Sequence, residues 1–329
     1  MKSKTAKLYF ITLASILIAL NGYTLLSALP HTGGSQPYCD AQGCTRVARD
    51  FSAYYEAAYR FIFNPSQVYH VGSLSNDYPI SPSPQNFRYS PFFLPLFLVP
   101  MTLFSYNTAL ILFDILQFAL LPLIAYLLFE AMLALSDKRI DNLTIASFSG
   151  VFIFALLQPL VPSLSNLTYW SWSYWRLWEQ GEARVLQTFL LVLTFYLVLR
   201  NSKLSGLSFV LSSFDPRMSI LSLPLIIFFC LRQKSLRSFV VGTLTSFIVL
   251  YVPTMLYANL GNQFFGTIFI NDFNFYSYEL IPVMTIISLT ISTCLAEFRK
   301  RKAQSTKERT GCSRSDGWIC GDSELLKSV

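Results

Sequence analysis

A carboxylate at a membrane surface can take a proton from a hydroxyl, and an arginine there can hold a phosphate. This 329-residue sequence concentrates such side chains in a few short stretches. RDFSAYYEAAYRF carries Asp50 and Glu56, with Arg46, Arg49 and Arg60 nearby. Asp50 is the candidate general base, and the competing reading makes it the N-cap of a short helix. NFRYSPFFLPLFLVP offers Arg88 to a lipid-linked phosphate, with Tyr89 beside it. Both residue types also serve as plain interfacial anchors. YWSWSYWRLWEQGEARV sets Trp170, Trp172, Trp175 and Trp178 ahead of Glu179, Gln180, Glu182 and Arg184. Aromatic faces flanked by carboxylates and amides suit a sugar, whereas an aromatic belt uses the same tryptophans only as anchors. SSFDPRMS puts Asp215 and Arg217 on either side of Pro216, between two apolar half-runs. They form either a mutual ion pair in a tight turn or a ligand site. GNQFFGTIFINDFNFYSYEL, with Asp272 and Glu279, either covers a pocket or lies at the interface.

The elements that must position these residues belong to a membrane protein. Only 13% of residues are charged and 53% are hydrophobic, against roughly a quarter charged in soluble domains. The net charge of +7 is no nucleic-acid footprint, because the basic residues cluster at the ends of apolar runs. His31 and His70 are isolated, so no zinc spacing exists. Cys230 and Cys294 fall in apolar runs and read as packing residues. Cys39 and Cys44 flank a Gly-containing turn; a disulfide and two free thiols both remain open.

The N-terminal lysines precede about 22 mostly apolar residues, which read as a first transmembrane helix with the lysines cytoplasmic. Residues 30–90 then form a long polar external loop, and RDFSAYYEAAYRF predicts an amphipathic helix there, with its tyrosines in the interfacial layer. Further apolar runs lie at 91–106, 108–131, 144–162, 185–200, 204–213, 218–231, 238–257 and 281–297. The expected fold is all-α: a polytopic transmembrane bundle of about eight segments, some short or re-entrant, over residues 1–302. Residues 303–329 read as a polar, disordered cytoplasmic tail. The basic segments at 136–141, 200–203, 231–237 and 298–302 all read as cytoplasmic, which requires an odd number of crossings between Ser90 and Ser136; two apolar runs lie there, so either one is re-entrant or one of the weaker basic loops lies outside. The N-terminal lysines and the 298–302 cluster put both termini on the cytoplasmic side.

In order and spacing, several of these motifs resemble the polyprenol-phosphate-sugar-dependent mannosyltransferases of the GT-C class, glycosyltransferase family 87. DFSAYYEAAYRF resembles the start of that family's first external loop, and FRYSPFFLPLFLVP its entry into the second helix. EQGEARVLQTFLLVLTFYLVLRNSKLSGLSFVLSS and FDPRMSILSLPLIIF resemble the elements that follow, so the likeness covers roughly residues 8–257. The family's Gly-Gln appears reversed as Gln180-Gly181, and its Lys-Pro appears as Asp215-Pro216-Arg217. The resemblance implies a GT-C fold, an external active site under the first loop and a sugar donor on a polyprenyl or dolichyl phosphate. It implies no metal or other cofactor, and as partners membrane lipids, the lipid-linked donor and a glycan or glycolipid acceptor. The expected setting is the plasma membrane of a prokaryote. Asp50 is then the catalytic base. Glu56, Arg88, Tyr89, Trp178, Glu179, Gln180, Glu182, Arg184, Asp215 and Arg217 are substrate-binding residues, with Arg88, Arg184 and Arg217 the cations for the phosphate. Two other functions fit the same sequence: a transporter or flippase using SSFDPRMS as a broken-helix site, and a non-catalytic GT-C-like membrane subunit.

Overall fold

A computed structural model of the chain describes residues 3–28, 38–40, 43–45, 48–69, 87–135, 142–156, 178, 181–270 and 285–295. The tail at 303–329 and the loop around Asp272 and Glu279 lie outside them, as do His31 and His70. The described structure is helical apart from one hairpin, in which β1 (Tyr38–Asp40) pairs antiparallel with β2 (Gly43–Thr45). That register sets the Cys39 backbone opposite Cys44, while their side chains lie outside the described residues.

The helices are α1 (Ser3–Ala28), α2 (Arg49–Phe63), α3 (Tyr106–Leu135), α4 (Asn142–Leu156), α5 (Arg184–Leu199), α6 (Leu204–Ser212), α7 (Pro216–Arg232), α8 (Leu236–Leu256), α9 (Leu260–Ile270) and α10 (Thr285–Leu295). Among the described residues, three stretches are long and apolar enough to cross a membrane: Thr5–Leu26, Tyr106–Leu135 and Leu236–Thr267. Their outer faces are hydrocarbon. Leu244, Ile248 and Val249 of α8 stand exposed, as do Leu8, Ile11 and Ile16 of α1. Apolar patches this continuous suit lipid rather than water.

The run at 91–106 departs from expectation. It forms no long helix but a chain of tight turns, a π-turn at Leu94–Leu98 and a 3-10 turn at Val99–Leu103. Pro95 and Pro100 explain this, since neither can donate the backbone bond that a continuing α-helix needs. Between Ser90 and Ser136 the described chain therefore holds one long helix, α3, of 30 residues.

Contacts fix how the helices run. Tyr9 meets Ser149 and Asn21 donates to the Leu156 carbonyl, so α1 and α4 run the same way. Leu110 of α3 lies against Gly181 just ahead of α5, and Glu130 of α3 reaches Arg200 just after it. Hence α3 and α5 are parallel. Gln187 bonds the Ser212 carbonyl and Ser208 bonds the Leu190 carbonyl, so α6 returns antiparallel to α5. Arg184 and Asp215 are thereby carried to the same end of the bundle.

Small residues let α6 approach α8 closely. A Cβ added to Gly206 would sit 2.0 Å from the Thr243 nitrogen, and one added to Gly242 would sit 2.0 Å from the Lys203 carbonyl oxygen. Helices in a membrane associate through such close backbone packing. Gly206→Ala should push them apart and cost about 1–3 kcal/mol, read as a lower unfolding midpoint in detergent. An unchanged midpoint would contradict this packing.

Candidate functional site

The site begins with α2. Its 3.6-residue apolar period buries Phe51, Tyr54, Tyr55 and Ala58 on one face, as the sequence predicts. The tyrosines do not lie at a lipid interface. Tyr54 packs edge-on against Tyr89, Phe93 and Phe113, and Tyr55 against Tyr106. The α2 tyrosines thus seat the helix on protein, because the turns at 93–103 and the start of α3 rise to meet it. Ser52 bonds the Tyr106 hydroxyl at 2.8 Å, and Tyr55 donates to the Phe104 carbonyl.

Asp50 is not the N-cap. Ala48 holds that position without a side-chain bond, and Asp50 lies in the first helical turn. A carboxylate there favours the positive end of the helix dipole. It is half-buried, one turn before Tyr54, and its charge acts on both Tyr54 and Tyr89. Tyr54 donates to the Tyr89 hydroxyl at 2.8 Å. Burial drives both phenols well above their ordinary range, so they are neutral hydrogen-bonding groups.

Gly181 joins α2 to the start of α5. Its φ of +65° is one that glycine adopts without strain, and an added Cβ would sit 2.6 Å from Phe51. This turn presents Glu182 and Arg184, both buried. Arg184 Nη1 donates to Asp215 Oδ2 at 2.8 Å and to Gln187 Oε1 at 3.1 Å, while its Nε lies 3.4 Å from Glu182 Oε2. Gln187 in turn donates to the Ser212 and Asp215 carbonyls.

Asp215 serves two purposes. It caps α7, accepting from the Arg217 backbone at 3.1 Å with Pro216 in the first helical turn. Its carboxylate also takes the Arg217 guanidinium in a fork, with contacts of 3.2 Å and 3.1 Å. Burial alone would raise the Asp215 carboxyl; Arg184 and Arg217 outweigh it and hold the carboxyl below the usual range. The mutual ion pair expected of Asp215 and Arg217 is present, enlarged by Arg184 from 31 residues upstream. Above the cluster, the Ser90 backbone donates to the Phe214 carbonyl at 2.7 Å. Tyr251 of α8 lies within hydrogen-bonding distance of the Ser90 and Ser213 hydroxyls, which fixes the turn that carries Asp215.

Tyr89, Glu182, Arg184, Asp215 and Arg217 thus gather with Asp50 at one end of the bundle. Tyr89 is buried, which removes the interfacial-anchor reading for it. Arg184 and Arg217 differ in access: the Arg184 side chain is 3% exposed and sealed by its partners, and that of Arg217 is 14% exposed. Other residues stand apart. Glu56 pairs with Arg60 one turn on, and burial raises its carboxyl against the pull of that arginine. Arg60 also donates to the Gln67 carbonyl. Arg88 is exposed. Trp178 is fully buried in the core beside Phe118, so it offers no sugar platform and belongs to no belt. Trp170, Trp172, Trp175, Glu179 and Gln180 lie outside the described residues.

Sequence reasoning passed over Gln187, Asp114 and Gln117, and read Tyr54 only as part of the apolar face of α2. Asp114 and Gln117 are both buried within α3, and an acidic residue inside so apolar a run is itself a signal. Among the described residues, neither polar atom of the Gln117 amide has a hydrogen-bond partner. Gln117→Met should therefore raise the unfolding midpoint, by about 1–2 kcal/mol, because a buried amide without partners is destabilising. A lowered midpoint would show that the amide is held by a bond. Among the described residues no group of three or more His, Cys, Asp or Glu side chains could hold a metal ion.

The chain matches no protein-family model, no curated protein and no solved structure.

Proposed function

We propose that this protein is a membrane glycosyltransferase of GT-C type, related to glycosyltransferase family 87. It moves a hexose, mannose by the motif resemblance, from a polyprenyl-phosphate donor to a lipid or glycan acceptor on the external face. The observation that carries the reading is that Asp50 and the Arg184–Asp215–Arg217 cluster both act on buried Tyr89 at one end of the bundle.

The chemistry needs two charges in the right order. The acceptor oxygen attacks the anomeric carbon while its proton passes to the Asp50 carboxylate. The anomeric carbon–oxygen bond breaks, and its electron pair leaves on the polyprenyl phosphate. A phosphate leaving group needs positive charge more than an acid. Arg217 is the cation with access, oriented by Asp215 in a fork. Arg184 is a positioning residue, closed in behind Asp215. Exposed Arg88, next to Tyr89, is a second cation for the phosphate. Glu56, engaged by Arg60, serves the α2 scaffold and is withdrawn from the substrate set.

The topology that goes with this reading has eight membrane segments, α1, α3 to α8 and α10, of which α6, at nine residues, is shorter than a full crossing. The single long helix between Ser90 and Ser136 gives the odd number that the basic segments require. Both termini are then cytoplasmic, and α2 lies outside over the cluster. The protein sits in the plasma membrane of a prokaryote.

The test is to incubate membranes, with and without the protein, with polyprenyl-phosphate-linked mannose, the glucose equivalent and a nucleotide-linked mannose. A new glycolipid or glycan from a lipid-linked donor supports the reading. A product from the nucleotide sugar alone, or none from any donor, overturns it.

A further inference from the structure

Away from the charged cluster, a groove of about 350 Å³ runs between α1 and α3, with Phe152 of α4 at its floor. Its volume is in the range of sites that hold small molecules. The groove exists because small side chains face each other there, Ala14 and Ser15 on α1 against Ala125 on α3, beside Pro122. Phe10, packed on the Phe152 ring at 4.9 Å, and Phe129 close its sides.

Its length and its ends are informative. Along α1 the lining runs from Lys7 to Ile18, about 16 Å of helix, close to the half-thickness of a bilayer's hydrocarbon. One end is basic: Lys7 lines it, and Arg200 reaches the lining Glu130 carboxylate at 3.7 Å. The interior between is almost wholly apolar. A chain with one charged end and about one leaflet of hydrocarbon matches these features.

We propose that this groove binds one acyl chain of an anionic glycerophospholipid, with its phosphate at Lys7 and Arg200. The inference rests on the helices crossing a membrane and not on sugar transfer. Glu130 is the acidic group at this mouth, and it holds Arg200 in place while leaving the positive charge in excess. The headgroup lies at the end where α3 and α5 finish, far from Asp50 and Asp215 at the opposite end. The lipid is therefore not the sugar donor of the proposed reaction.

The experiment is native mass spectrometry of the full chain, delipidated in detergent and titrated with phosphatidylglycerol or phosphatidylcholine. Phosphatidylglycerol should be retained about tenfold more tightly, as two basic side chains at a headgroup imply. Ser15→Trp fills the groove from an exposed position that folding tolerates, and should abolish the retained lipid. Lys7→Gln with Arg200→Gln should keep lipid binding but abolish the preference for phosphatidylglycerol, because Glu130 is then the one charge left on these three residues. Equal retention of both lipids by the unmodified chain, or a full complement of lipid on Ser15→Trp, would overturn the proposal. Loss of sugar transfer with lipid retention intact would bear on the proposed reaction alone.

Discussion

Asp215→Ala is expected to destabilise the protein by about 3–5 kcal/mol, the cost of breaking a buried ion pair. The carboxylate is 1% exposed and is shared by Arg184 and Arg217. Its removal takes from buried Arg184 its carboxylate partner at 2.8 Å and takes the cap from α7. The measurement is thermal unfolding in detergent, where the midpoint should fall by many degrees. Acid should have the same effect. Because the folded carboxyl is held below its ordinary value, its stabilisation is complete above the unfolded carboxylate range near pH ~4. It should disappear as pH falls through the lowered folded value. The Ala variant should lack that acid-dependent step, and a variant that keeps both its midpoint and the step would contradict the cluster's structural role.

Asp50→Asn is the second large effect. On the proposed mechanism it removes the base and leaves the shape, so transfer should fall by about 10²–10⁴-fold with normal membrane abundance. Stability should fall by no more than about 1 kcal/mol, the helix-dipole share of a first-turn carboxylate, because Ala48 and not Asp50 occupies the cap position. The contrast with Asp215 is the useful part: one carboxylate holds the turn together, and the other stands over it half-buried. Unchanged transfer by Asp50→Asn would remove it as the base.

Much of the site was legible one stretch at a time. The spacing of Phe51, Tyr54, Tyr55 and Ala58 gave α2 nearly its full length, since helical period is a local property. The Asp215–Arg217 pair was legible because the two are two residues apart. The union of Arg184 with Asp215 was not, because it depends on α6 folding back along α5, and nothing in either segment encodes its partner. The same limit explains Trp178: its spacing among other tryptophans suggested a belt or a sugar face, but burial is decided by the Phe118 neighbour on α3. The run at 91–106 was legible as apolar but not as turns: Pro95 and Pro100 break the backbone ladder, leaving short turns that support α2.

The proposed transfer of sugar from a polyprenyl phosphate rests on Asp50 and the Arg184–Asp215–Arg217 cluster at one end of the bundle. The most direct test is the purified protein in liposomes with labelled polyprenyl-phosphate mannose and a mixture of glycolipid acceptors. The account predicts release of polyprenyl phosphate matched by a mannosylated product, lost in Asp50→Asn. Intact donor in the presence of well-folded protein, across mannose and glucose donors alike, would contradict it.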